Sequence, residues 1–268
     1  MSKSKHNSDV ATLECFITDA NSFANGALVG EWVEFPTTPE KLQDVYDSLG
    51  VESSEQVIVT DFESRIPNLH KGLGEHENID KLNFLAKRIQ EVEERGQIDT
   101  FKRYLELDTF DLEQLIEIAD QEFIDNVFCV PNIEDTQQLG IYLVEELDYF
   151  NFNSLPQSEI FKEFFENNIE NFIAYEDIGE SRKLNECGQF LSGSYIEPNL
   201  RWQNKVKSIE DIPTEYLITP EAIEQRIKEK EETLSNAAVS ELNGLLNKSD
   251  VDKQVTVNEN NNKRSKGR

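Results

Sequence analysis

Long hydrophobic runs are missing from this chain of 268 residues. A membrane-spanning helix needs about 20 consecutive apolar residues, and no stretch of the sequence approaches that length. The first ten residues, MSKSKHNSDV, also lack the apolar core of a secretory signal peptide. We therefore expect a cytoplasmic protein that does not enter a membrane.

Cysteine is scarce as well. The three cysteines are far apart and form no CxxC motif: Cys15, Cys129 and Cys187. A disulfide framework and a cysteine-ligated zinc site are therefore not indicated. His70 and His76 have Glu75 and Glu77 beside them, but they lie in a glycine-containing loop without the helical spacing of metal ligands. The sequence predicts no metal site and no cofactor.

Motifs for catalysis are also missing. Gly72-Leu73-Gly74 lacks the third glycine and the preceding strand of a phosphate-binding loop. The carboxylate doublets Glu145-Glu146 and Glu176-Asp177 do not make an acid and base pair, because neighbours on a helix point about 100° apart. We predict that the protein is not an enzyme.

Positive charge is in short supply where the chain looks folded. The sequence has 26 basic and 53 acidic residues, a net charge of −27. Residues 11–200 hold 40 acidic and 12 basic residues, whereas residues 201–268 hold 12 of each. Self-repulsion of this size costs stability. It repels nucleic acid and anionic membranes, and it attracts cationic surfaces such as the grooves of DNA-binding proteins. Solvation alone is the competing explanation.

The apolar patterns predict an α+β protein with three small domains. We expect residues 1–10 to be frayed and disordered and residues 11–64 to form an α+β unit. Residues 65–121 are expected to form a short helical bundle, and residues 122–197 a second, acidic α+β unit. The extension at 198–268 is expected to contain a helix at about 220–247, followed by a disordered tail. Strands are predicted at 12–18, 30–35, 57–59 and 123–130. Helices are predicted at 39–49, 79–95, 98–107, 110–120, 136–147 and 158–168.

Local signals support some of these boundaries. Thr38 and Pro39 mark the start of the first helix, and Gly50 marks its end. The second helix has an apolar stripe that consists of Leu82, Leu85, Ala86, Ile89 and Val92. Towards the end of the acidic unit, short elements are expected to be separated by Gly179, Gly188 and Gly193.

Carboxylates interleave with aromatic residues between positions 139 and 198. The candidate phosphate-mimicking residues are Glu145, Glu146, Asp148, Glu159, Glu163, Glu166, Glu170, Glu176, Asp177, Glu180 and Glu186. Four of them, from position 159 to 170, are spaced by four, three and four residues, which places them on one helix face. Their axial separations of roughly 4.5–6 Å are of the same order as the step of about 3.4 Å per phosphate on one DNA strand. This spacing is compatible with a DNA mimic.

Three segments resemble motifs of the ArdA-type antirestriction proteins. FIAYEDIGESR at 172–182, with NECGQF at 185–190 and GSYI at 193–196, looks like the family's C-terminal signature. NGALVGEWV at 25–33 resembles its N-terminal pattern. The family's antirestriction motif is similar to Leu139, Gly140, Ile141, Tyr142, Leu143, Val144, Glu145 and Glu146. One departure is the family's Gly-Arg-Asp, which reads Gly179-Glu180-Ser181-Arg182 here and shifts the basic residue.

The resemblance implies three small domains in an elongated, curved monomer, and a homodimer that mimics bent B-form DNA. It implies binding in the DNA-binding groove of Type I restriction–modification enzymes, on the methyltransferase core, and protection of incoming mobile DNA. The antirestriction motif would lie at or near the dimer contact. We expect further carboxylates to extend the acidic track: Glu31, Glu34, Asp44, Asp47, Glu91, Glu93 and Glu94. Nucleic acid itself is not an expected partner.

Two alternatives remain open from the sequence. The protein could be an acidic adaptor that binds a basic protein, histone-like or ribosomal, without imitating DNA geometry. The resemblance says nothing about residues 199–268, and two interpretations of this extension compete. Its amphipathic helix packs on a partner or on a second copy of the chain, or it belongs to a loosely tethered tail.

Overall fold

The computed structural model describes residues 11–147, 173–199 and 201–236. Within these residues, helices combine with two three-stranded antiparallel sheets, so the predicted α+β class is confirmed. Contacts divide the chain into two compact units, residues 1–219 and residues 220–268. The finer division into three domains and their elongated arrangement stay predictions.

The first sheet has the strand order β2-β1-β3. Its elements and the two helices near it are β1 (Leu13–Asp19), α1 (Ala20–Ala24), β2 (Gly30–Phe35), α2 (Pro39–Leu49) and β3 (Val57–Glu63). Leu13, Cys15 and Ile17 alternate along β1 and are fully buried. The other face of β1 carries Glu14 and Phe16, which are half-buried. The alternation gives one core face and one outer face.

Helix α2 begins and ends where its capping residues predict. The Thr38 side chain accepts a hydrogen bond from the Lys41 amide at 3.4 Å, and Pro39 occupies the first turn. Gly50 follows the helix in the left-handed conformation, with φ 71°. Both boundaries rest on local chemistry, since the cap satisfies a free amide and glycine tolerates a positive φ.

A layer of four helices follows in the sequence. They are α3 (Ile79–Glu94), α4 (Ile98–Tyr104), α5 (Leu112–Ile118) and α6 (Gln121–Asp125). The apolar stripe predicted for α3 is buried: Leu82, Leu85, Ala86, Ile89 and Val92. Helix α3 ends before Gly96, which has φ 74°.

The predicted strand at 123–130 is wrong over most of its length. Phe123 and Ile124 are buried residues of α6, and only Cys129–Pro131 forms a strand, β4. Asp120 caps α6 by accepting a hydrogen bond from the Glu122 amide at 3.1 Å. A short apolar run fits a helix or a strand equally well, and here the cap favours the helix.

The second sheet has the order β4-β6-β5 and is packed against two helices. The remaining elements of this region are α7 (Thr136–Glu145), α8 (Tyr175–Asn185), β5 (Gln189–Leu191) and β6 (Ser194–Ile196). Their shared core consists of Val130, Ile133, Leu139, Leu143 and Tyr195, with Ile178 packed against it. Helix α7 confirms the prediction at 136–147, whereas α8 was expected to be short elements separated by glycines.

Residues 201–219, which follow the second sheet, form neither an α-helix nor a strand. Two short 3-10 turns lie in this part, at Ile209–Asp211 and Thr214–Tyr216. A helix, α9, begins at residue 220 as predicted and covers residues 220–236. The end predicted for it at 247 and the helix predicted at 158–168 lie outside the described residues. No described helix is both long enough and apolar enough to cross a membrane.

Candidate partner-binding surface

Two glycines let α7 and α8 pack backbone against backbone. A methyl group added at Gly140 would overlap the backbone carbonyl of Tyr175, and one added at Gly179 would overlap the backbone carbonyl of Thr136. Each glycine therefore contacts the backbone of the neighbouring helix, which leaves no room for a side chain. This close packing fixes the position of the acidic residues at the ends of the two helices.

Four carboxylates lie at neighbouring ends of this helix pair. Glu145 and Glu146 end α7, Glu176 and Asp177 occupy the first turn of α8, and all four are exposed. The Tyr175 hydroxyl donates to the Glu145 carboxylate at 3.2 Å, which connects the two ends. Among the described residues, no lysine, arginine or histidine nitrogen lies within 4.0 Å of any of the four. We call these residues the acidic helix ends.

The negative charge of the acidic helix ends stabilises one helix and destabilises the other. Glu176 and Asp177 lie at a helix N-terminus, where the helix dipole favours negative charge. Glu145 and Glu146 lie at a helix C-terminus, where the dipole opposes negative charge. The second pair therefore costs helix stability in this position.

The two cations of α8 point to other partners. Arg182 forms two hydrogen bonds with the buried Glu197 carboxylate, at 2.6 and 2.7 Å, and lies over the Phe128 ring at 5.1 Å. The Glu197 carboxylate raises the pKa of Arg182 through these hydrogen bonds. Lys183 lies over the Phe190 ring at 5.8 Å. Neither cation neutralises the acidic helix ends.

A second acidic row crosses the outer face of the first sheet. Glu14 of β1 is paired in register with Glu34 on one side and with Glu63 on the other. Like charges directly opposite each other on a sheet are destabilising. Beside this row, the rings of Phe16 and Trp32 lie 5.4 Å apart. The sheet thus carries three carboxylates next to the half-buried Phe16 ring and the exposed Trp32 ring.

A family model described as "Antirestriction protein (ArdA)" matches residues 15–197. The chain belongs to the ArdA family. The expected resemblance is therefore confirmed over more than half of the chain. None of the curated protein sequences matches the chain significantly. Membership implies an antirestriction function, which is the function of an inhibitor rather than of an enzyme, and a restriction–modification enzyme as the partner.

In this ArdA-family chain the segment 139–146, which resembles the family's antirestriction motif, is largely core. Leu139, Gly140, Leu143 and Val144 are buried, and Ile141 and Tyr142 are half-buried. Glu145 and Glu146 are its only exposed members. Most of the motif therefore holds α7 against α8 and the second sheet. Its proposed dimer contact stays a prediction.

The other predicted carboxylates fall into three groups. Glu180 is half-buried, and Glu186 is exposed with its carboxylate 3.9 Å from Arg182. Five predicted residues lie outside the described part of the chain: Asp148, Glu159, Glu163, Glu166 and Glu170. Six of the eleven candidates are therefore described, all on α7, α8 or the residues just after them, and the four acidic helix ends are the ones that lie at neighbouring helix ends.

The predicted extension of the acidic track is only partly exposed charge. Five of these carboxylates are exposed and have no described ion pair: Glu31, Glu34, Asp44, Asp47 and Glu94. Of these, Glu31 accepts a hydrogen bond from the Ser48 hydroxyl. No described cation compensates the charge of this group. Glu93 pairs with Arg65 at 2.6 Å, and this hydrogen bond lowers the pKa of Glu93. Glu91 pairs with Arg88 at 3.0 Å. These last two carboxylates are already compensated within the chain.

Sequence reasoning missed Glu14 and Glu63 in the acidic row of the first sheet. The signal for Glu14 was present, because it alternates with the buried Leu13 and Cys15 of β1. Its pairing with Glu34 and Glu63 depends on strand register, which the sequence does not provide. In the described residues, no group of three or more histidine, cysteine or acidic side chains could hold a metal ion.

Proposed function

We propose that this ArdA-family chain inhibits Type I restriction–modification enzymes by presenting carboxylates in place of DNA phosphates. The acidic helix ends support the proposal most directly. They are four exposed anions held by a close-packed helix pair, and the nearby cations Arg182 and Lys183 are engaged elsewhere. The target is the DNA-binding groove of the methyltransferase core, in the cytoplasm, where the inhibitor protects incoming mobile DNA.

The physics of such an inhibitor follows from its charge. A net charge of −27 gives long-range attraction to a groove lined by lysine and arginine. This attraction accelerates association and weakens as salt screens it. No bases are present, so the contacts correspond to those that DNA makes through its phosphates and not to sequence readout. The acidic row of the first sheet supplies further anions, and a homodimer doubles the charged surface.

A competition assay tests the proposal. A fluorescent duplex bound to a purified Type I methyltransferase should be displaced by the full chain, and displacement should weaken steeply as salt rises. The test variant neutralises the acidic helix ends through Glu145→Gln, Glu146→Gln, Glu176→Gln and Asp177→Asn. If each exposed ion pair contributes about 0.5 kcal/mol, the four changes weaken inhibition about thirtyfold.

A matched variant separates position from net charge. It neutralises four other exposed carboxylates that have no described ion pair: Glu52→Gln, Glu55→Gln, Glu75→Gln and Asp108→Asn. Both variants lose four negative charges, at different positions. The inhibitory concentration of the second variant should stay within about threefold of that of the parent. Equal loss in the two variants would indicate attraction without DNA geometry. An acidic adaptor would also bind the enzyme without being displaced by duplex, and that result would contradict the proposal.

A further inference from the structure

The chain between residues 201 and 219 lies beyond the family match, which ends at residue 197. We call residues 201–219 the C-terminal strap. Although it lacks long helices and strands, three of its apolar side chains are almost fully buried: Ile212, Leu217 and Ile218. Besides this apolar burial, polar groups of the helical layer bind the strap at two places.

The first contact is made by Asp80 in the first turn of α3. Its side chain is fully buried, with 0% exposed. It accepts hydrogen bonds from the backbone amides of Ile218 and Thr219, at 2.6 and 2.9 Å, and from the Thr219 hydroxyl at 2.5 Å. Nearby, Asn83 donates to the Tyr216 carbonyl at 2.9 Å. All the hydrogen-bond donors described for Asp80 thus come from the strap.

The second contact is made by Glu117 on α5, which is 6% exposed. Its carboxylate accepts from the backbone amides of Gln203 and Asn204, the latter at 2.8 Å. Asn204 has φ 49°, a left-handed conformation that turns the two consecutive amides toward one anion. As with Asp80, the donors described for Glu117 belong to the strap.

Packing and charge support the second contact. The Trp202 ring lies 5.1 Å from Phe123 and 6.1 Å from Phe110. Lys205 forms ion pairs with Asp120 at 3.1 Å and with Glu122 at 2.7 Å. The strap therefore brings an aromatic ring and a cation to a face of α5 and α6 that would otherwise present apolar and acidic groups.

We propose that Asp80 and Glu117 form two binding sites for the strap, and that the strap is an intramolecular peptide ligand which completes the helical layer. A buried carboxylate without hydrogen-bond donors is strongly unfavourable. Among the described residues, neither carboxylate has an ion-pair partner, so the strap amides compensate both charges. The folded body therefore extends to Thr219, beyond the family match.

The test uses the full chain with Trp32→Phe, which leaves Trp202 as its one tryptophan of the original two. Asp80→Asn and Glu117→Gln each replace a carboxylate with a neutral amide of similar shape. Asp44→Asn is the control, since Asp44 is exposed on α2 and has no described ion pair. Hydrogen exchange of the strap amides and the emission wavelength of Trp202 are measured under native conditions.

We expect Asp80→Asn to accelerate exchange at residues 218 and 219 at least tenfold. Glu117→Gln should do the same at residues 203 and 204 and shift Trp202 emission to longer wavelength, and the control should change neither. Exchange within twofold of the parent at both contacts would overturn the proposal. If either variant fails to fold, Thr219→Val decides, because it removes only the hydroxyl bond to Asp80. Faster local exchange supports the proposal, and unchanged exchange refutes it.

Discussion

The glycine contact between α7 and α8 makes a sharp prediction about stability. Replacing Gly140 with alanine places a methyl group on the backbone carbonyl of Tyr175. Replacing Gly179 with alanine places one on the backbone carbonyl of Thr136. Backbone atoms cannot rotate away as a long side chain does, so the helices must separate. Both glycines are helical, and neither has a positive φ.

The size of the effect follows from two opposing contributions. Alanine is favoured over glycine in a helix interior by about 1 kcal/mol. Overpacking typically costs about 1–3 kcal/mol, and overlap with a backbone carbonyl belongs at the upper end. We therefore expect each substitution to lower the free energy of unfolding by about 2 kcal/mol. The melting temperature should fall by about 4–8 °C for a chain of this size.

Urea unfolding followed by circular dichroism measures this effect. Gly74→Ala is the matched control, because the nearest atom to its added methyl group would be a Glu77 carboxylate oxygen at 3.9 Å, and its φ is not positive. The control should stay within about 0.5 kcal/mol of the parent. The double substitution of Gly140 and Gly179 should cost less than the sum of the two, since one separation of the helices relieves both overlaps.

Two outcomes would refute this reasoning. If Gly140→Ala and Gly179→Ala were as stable as Gly74→Ala, the helices would not pack through these glycines. If the two costs added fully, the glycines would not share one contact. The substitutions should also weaken antirestriction activity, because separating the helices moves the acidic helix ends that we propose as phosphate mimics.

The remaining predictions concern the Arg182–Glu197 pair and the alkaline limit of stability. Arg182→Gln leaves the buried Glu197 without its cation and should lower the free energy of unfolding by about 2 kcal/mol. This is less than the cost for a fully buried pair, because Arg182 is partly exposed. Adding Glu197→Gln should restore part of the loss in the same urea assay, and no recovery would contradict the pairing. Burial raises the pKa of Tyr104 to about 12. In the unfolded chain tyrosine ionises at about pH 10, so the stability contributed by Tyr104 is complete below pH 10 and is lost between pH 10 and 12. Tyr104→Phe should make the decline in unfolding free energy between pH 10 and 12 shallower, and an unchanged decline would exclude Tyr104 as a cause.

Local chemistry made much of the fold predictable. Thr38, Pro39 and Gly50 marked both ends of α2, and the spacing of apolar residues identified α3 and its buried stripe. The prediction failed at α8, where Gly179 indicated a break in the chain. In the structure Gly179 is an interior helical residue that permits contact with α7. A glycine has the same letter in both roles, and only its neighbours in space distinguish them.

The candidate site was predictable in its composition and only partly in its arrangement. The sequence identified the acidic residues of α7 and α8, but not that Arg182 would pair with Glu197 and leave the acidic helix ends uncompensated. It also placed Glu91 and Glu93 on the acidic track, where ion pairs with Arg88 and Arg65 already hold them. Ion pairs between distant positions depend on packing, which a charge count does not contain.

The sequence by itself determined the α+β class, the large negative charge and the membership of the ArdA family, because these depend on composition, local periodicity and short motifs. Tertiary structure alone decided which charges remain open, how closely α7 and α8 approach, and that the strap beyond the family match belongs to the folded body. The physical reason is the same in each case: burial, hydrogen bonding and charge compensation are properties of neighbours in space, and Asp80 meets its donors at Ile218 and Thr219 only after the chain has folded.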